Sequence, residues 1–76
     1  MRILVVEDEP TLAAQLVEGV NAAGYVADSA GNGVDAHFMG DTEPYDAVVL
    51  DLGLPQMDGI TVLRKWRAAG RTMPVL

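Results

Sequence analysis

No cysteine occurs in the 76 residues, which excludes a disulfide framework and any zinc site built on thiolates. Aromatic residues are few (two Tyr, one Trp and one Phe), and Trp66 and Phe38 read as packing residues rather than as a platform for nucleic acid bases. His37 is the only histidine, so it reads as a surface residue rather than a metal ligand. Ser29 and Thr61 have no imidazole partner for serine-type catalysis. Positive charge is scarce: five Lys and Arg stand against eleven Asp and Glu, for a net charge of -6. All the acids lie at or before Asp58, whereas Arg64, Lys65, Arg67 and Arg71 crowd the last stretch. An acidic surface repels phosphates, so direct DNA binding by this segment is not expected, and the late bases suit the C-terminus of a helix. There is no long hydrophobic run. Met1 to Val6 is apolar only briefly before Glu7-Asp8-Glu9, which fits neither a signal peptide nor a membrane span and points to the cytoplasm.

What is present is enough apolar material for one small domain, with half the residues hydrophobic, in a size range where stability is marginal. Residues 2 to 7 read as a strand buried on both faces, as in a parallel sheet. Pro10 suits a first helical turn, and Leu12, Ala13, Leu16, Val17, Val20 and Ala23 form an apolar stripe that Gly24 ends. A second strand, about Tyr25 to Ala30, carries Asp28 and Ser29 and fits a sheet edge. A short helix is expected from about Gly33 to Met39, with Gly40-Asp41-Thr42-Glu43-Pro44 as a polar loop. Asp46 to Leu50 is the third strand. Asp58 is placed to cap a third helix carrying Ile60, Leu63 and Trp66 on one side, and Gly70 closes it. Pro74 is tolerable at the start of a fourth strand, Val75-Leu76. The alternation calls for an α/β fold with a mostly parallel sheet and right-handed crossovers.

The stretch "VVLDLGLPQMDG", residues 48 to 59, carries the chemistry. A buried-type strand runs directly into Asp51, and a carboxylate there is costly unless something pairs with it. If strands one and three are neighbours and the winding reverses between them, a crevice opens at their carboxyl ends. Glu7, Asp8 and Asp51 would meet in it. Two unit charges about 4 Å apart repel by about 4 kcal/mol at an effective dielectric of about 20, a large fraction of a small domain's stability. A hard cation with oxygen ligands relieves such a cluster, and Mg2+ fits best because it takes one or two carboxylates and keeps room for water and a phosphate oxygen. Gly53 is a residue type that lets a backbone carbonyl turn toward an ion. Each residue also has a plainer reading: Glu7-Asp8-Glu9 as a solvated run before a helix, Asp51 and Asp58 as caps, Gly53, Pro55 and Gly59 as turn chemistry.

On "ILVVEDE" and "VVLDLGLPQMDG" the whole chain resembles the N-terminal part of a two-component response regulator receiver domain, and "ILVVEDEP" further resembles the winged-helix transcriptional regulator class. The resemblance implies a flavodoxin-like sheet of order 2-1-3-4, truncated before the fifth strand, with helices on both faces. It also implies a partial receiver domain over residues 1–76, without the α4-β5-α5 part. It makes Asp51 the phosphoacceptor, taking a phosphoryl group from a sensor histidine kinase. It makes Asp8, Asp51 and the Gly53 carbonyl direct Mg2+ ligands, with Glu7 acting through water. The receiver's Ser or Thr after strand four and Lys after strand five would fall beyond Leu76, and Lys65 is not that lysine. The protein is then expected to be a phosphoacceptor rather than an enzyme, reaching DNA only through an output domain. Two rivals remain at this point. A non-signalling fragment would self-associate as a homodimer through an uncovered sheet edge. An aspartyl-phosphate phosphatase is the other, although Gly53 stands where such enzymes resemble Asp-x-Asp.

Overall fold

The computed structural model describes all residues, 1–76. Three parallel strands, β1 (Arg2–Val6), β2 (Val26–Ala30) and β3 (Ala47–Leu50), alternate with helices α1 (Pro10–Ala22), α2 (Gly33–Thr42) and α3 (Gly59–Ala68). The strand order is β2-β1-β3, so β1 lies centrally and the winding reverses between β1 and β3. Leu4 pairs with Asp28 on one side and with Val48 on the other. Residues 74–76 continue the sheet beyond β3: the Val48 amide donates to Pro74 O (2.9 Å), the Leu76 amide to Val48 O (2.8 Å), and the Leu50 amide to Leu76 O (2.9 Å). The expected fourth strand therefore stands in its place as a parallel bridge, Val48 to Val75, rather than a full strand.

The burial of β1 follows from its place at the centre. Ile3, Leu4, Val5 and Val6 are all buried. Leu4 and Val6 join Val48, Ala36 of α2, and Val62 and Trp66 of α3 in one core cluster. Ile3 and Val5 alternate to the opposite face, because successive side chains on a strand point to opposite sides. Helix α1 packs on β1 and β2 but buries no residue completely. Leu16, Val17 and Val20 are half-buried and Leu12 is exposed.

Two sequence expectations change on the α2–α3 side. Helix α2 continues through Gly40, Asp41 and Thr42, residues expected in a loop. Gly40 is buried against Trp66, where a Cβ would lie 2.4 Å from the ring. The indole N–H donates to His37 O of α2 (3.2 Å). Packing of one helix on the other thus overrides the low helical preference of Gly and Thr. The buried side chains of α3 beyond its first residue, Gly59, are Val62 and Trp66, one turn apart, while Ile60 is exposed. Phe38 is 66% exposed and is not a core residue. Met39, Met57 and Met73 pack around the cluster as gap fillers.

At the amino ends of the strands Arg2 ties the sheet together. Its guanidinium meets Asp28 (2.6 Å) and Glu43 (3.2 Å) and lies 5.0 Å from the centre of the Tyr45 ring. The Tyr45 hydroxyl donates to Asp28 (2.7 Å). Hydrogen bonds from Tyr45 and Arg2 hold the Asp28 carboxyl below its usual range. Burial, then the Asp28 carboxylate, pushes the Tyr45 phenol up to about 12.

Candidate metal and phosphoacceptor site

The opposite end of the sheet carries the acidic residues. β1 delivers Glu7 and Asp8 just past its last paired residue, and β3 delivers Asp51 beside them, because the Asp51 amide donates to Val6 O (3.0 Å) while the Glu7 amide donates to Ala30 O (3.1 Å). The carboxylates of Glu7, Asp8 and Asp51 each offer an oxygen, and these atoms lie within 4.8 Å of one another. The rim lies at the carboxyl ends of β1 and β3, where the winding reverses.

The three acids differ in setting. Glu7 is 9% exposed, and its Oε2 accepts from the amides of Asp8 (2.8 Å) and Glu9 (3.4 Å). Burial, then the neighbouring Asp51 carboxyl, raises the Glu7 pKa above the ordinary carboxylate value. Asp51 is half-buried, and its Oδ1 accepts from the Gly53 amide (3.1 Å). That hydrogen bond, then the one shared with Glu7, holds the Asp51 pKa low. The two carboxyls are thus shifted in opposite directions, Glu7 toward its neutral form and Asp51 toward its ionised form. Asp8 is exposed. None of the ion pairs in the structure reaches these acids, since all of them involve Arg2 or Arg71.

The loop from Asp51 to Asp58 leads into α3, whose N-cap is Asp58, as expected: its carboxylate accepts from the Thr61 amide (2.9 Å) and the Thr61 hydroxyl (3.0 Å). Glu9 caps α1 in the same way, accepting from the amides of Thr11 and Leu12. Gly53 does not have a left-handed backbone; that conformation falls on Gln56, at φ +70°. Two glycines of the site are needed for space instead. A Cβ on Gly59 would lie 2.6 Å from Asp51 O, and one on Gly33 would lie 1.7 Å from Met57 O. Nothing in the sequence marks Gly33 as a site residue beyond the Asn-Gly pair that opens α2.

A model of the response regulator receiver domain matches residues 3–76. The chain belongs to this family. It is 42% identical over all 76 residues to the probable transcriptional regulatory protein SilR of Salmonella typhimurium. It is 47% identical over the same length to the transcriptional activator protein IrlR of Burkholderia pseudomallei. It covers 33% of each of these two proteins, and so spans about a third of the length of the curated relatives it matches. Among solved structures, the receiver domain of the sensor histidine kinase PA1611 from Pseudomonas aeruginosa PAO1, with a magnesium ion coordinated in its active site cleft, superposes with a TM-score of 0.92 at 32% identity, over 97% of this chain and 62% of that one. The complex of the histidine kinase ThkA with the response regulator TrrA also matches, with a TM-score of 0.88 at 35% identity, over 97% of this chain and 64% of that chain. The expected fold and family are thereby borne out, and no helix is long and apolar enough to cross a membrane.

Proposed function

We propose that this chain is a phosphoacceptor module in which Asp51 receives a phosphoryl group from a phosphohistidine of a sensor kinase. The observation that carries the reading is the convergence of the Glu7, Asp8 and Asp51 carboxylates within 4.8 Å with no Lys or Arg paired to them. Such an all-oxygen, strongly acidic donor set matches what Mg2+ takes. Asp8, Asp51 and the Gly53 carbonyl would hold the ion, with Glu7 acting through water. When bound, the ion supplies charge neutralisation for the transferred phosphoryl oxygens.

The chain's own residues account for the rest. The Gly53 amide fixes one oxygen of Asp51 and keeps the carboxylate ionised, as a nucleophile requires. An Asp51 oxygen forms the new P–O bond while the P–N bond to the kinase imidazole breaks, and the imidazole departs with that electron pair. The module is a substrate and carrier of the phosphoryl group rather than an enzyme. Its kinase partner is supported by the structural likeness to TrrA, which is seen in complex with ThkA. The relatives named as transcriptional regulators support an output on transcription; a winged-helix output domain, a cytoplasmic location and a second copy of the chain as partner belong to the same proposal.

Incubation with a small acyl phosphate and Mg2+ tests this. Intact mass should show one added phosphoryl group on the wild type, and Asp51→Asn should show none. A phosphoryl group that still appears on Asp51→Asn, at another residue, would overturn the assignment.

A further inference from the structure

The loop that carries the acceptor is strained. Its Met57 amide donates to Pro55 O (2.8 Å) across the single residue Gln56, whose φ is +70°. A two-residue hydrogen bond closed around a left-handed, non-glycine residue is a rare and strained γ-turn. Such strain persists only where the surroundings over-determine it. Here they do: the Gly33 amide, at the start of α2, donates to the same Pro55 O (3.2 Å). A Cβ on Gly33 would lie 1.7 Å from Met57 O. Gly33 itself is not left-handed, so glycine is required by the close approach and not by its own backbone. The Asn32 side chain fixes Gly33 in place as the cap of α2, with Oδ1 accepting from the Asp35 amide (2.8 Å) and Nδ2 donating to the Asp35 carboxylate (3.0 Å). A separate contact at the other end of the same segment reaches the other half of the site, where Ala30 O accepts the Glu7 amide (3.1 Å).

We propose that residues 30–33 are a positioning clamp, bonded through Ala30 to Glu7 and through Gly33 to the Pro55-Gln56-Met57 turn, and that this clamp sets the spacing between the Glu7–Asp8 and Asp51–Gly53 halves of the site. The inference rests on the reading of that site as a Mg2+ site. Because Mg2+ demands near-ideal geometry, a displaced loop weakens binding while the fold persists.

The test compares Gly33→Ala with Gly40→Ala in the purified full chain. Both add a methyl group to a tight contact of α2, but Gly40 faces Trp66 and not the loop. In the metal-free protein, Gly33→Ala should move the amide resonances of Gly53 and Met57, and calorimetric titration with MgCl2 should show binding weakened by about tenfold to a hundredfold. Gly40→Ala should lower the melting temperature and leave those resonances and the Mg2+ affinity unchanged. A folded Gly33→Ala protein with wild-type resonances and affinity overturns the clamp. If Gly33→Ala does not fold, Asn32→Ala, which adds no atoms, should give the same shifts and the same weakening, and wild-type behaviour of that variant overturns the clamp. A wild type that takes up no Mg2+ refutes the functional reading instead, and the metal-free resonances then decide the clamp alone.

Discussion

Replacing Asp8 with Asn should remove most of the stabilisation that magnesium gives this protein. The substitution removes one negative charge from three carboxylates whose oxygens lie within 4.8 Å and that no Lys or Arg neutralises. Without metal, relief of like-charge repulsion should make Asp8→Asn more stable than the wild type. With metal the wild type should gain more stability than the variant does. At an Mg2+ concentration of about 100 times the dissociation constant, linkage stabilises the wild type by about 2.7 kcal/mol. In a chain of this size that raises the melting temperature by roughly 10 to 20 °C. Losing a charged ligand should weaken binding by about a hundredfold, which brings the same concentration down to the dissociation constant and leaves about 0.4 kcal/mol, roughly 2 to 3 °C. Thermal melts followed by circular dichroism, with and without MgCl2, read all four quantities. Equal magnesium-induced shifts in wild type and Asp8→Asn would refute the shared site. So would an Asp8→Asn protein less stable than the wild type in the absence of metal.

Other perturbations have equally definite outcomes. Trp66→Ala should cost about 3 to 5 kcal/mol in a denaturant titration, because the ring is fully buried and its N–H is bonded to His37 O. Gln56→Gly should raise stability by about 1 kcal/mol, since it relieves the only left-handed non-glycine backbone in the chain. Absorbance titration should find a tyrosine ionising near pH 12 that Tyr45→Phe removes. Its folded pKa lies above the unfolded value of 10.0, so the stability it contributes is fully present below pH 10 and is lost as pH rises toward 12. The Asp28 pKa is depressed in the fold from 3.8, so its contribution is present above that pH and lost as pH falls through the folded value. Acid denaturation of Asp28→Asn should lack this part of the pH dependence.

The elements of the fold were legible because their signals are local. β1 is a run of apolar residues, Pro10 opens a helix, and Gly24 and Gly70 take the left-handed φ values of +91° and +80° that end helices. The motif around Asp51 was legible for a different reason: its residue types and spacings recur as a unit, so the resemblance named the family before any geometry was known. Helix lengths and buried faces were less accessible. Residues 40–42 look like a turn until Trp66 packs on Gly40, and Ile60, Val62 and Leu63 are equally apolar in sequence although only Val62 is buried. Gly33 carried no distinguishing mark either, since a glycine kept for space looks the same in sequence as one kept for a turn.

The order of residues by itself determined which segments are strands and helices, that Asp58 caps α3, and that Glu7, Asp8 and Asp51 each follow a buried strand, because backbone preference and apolar period act over a few neighbours. Tertiary structure alone decided that these acids share one rim, that Glu7 is the buried member, and that α2 presses on the acceptor loop. Those properties depend on distances between residues some twenty to forty-five positions apart, which arise only once the parallel strands are set side by side.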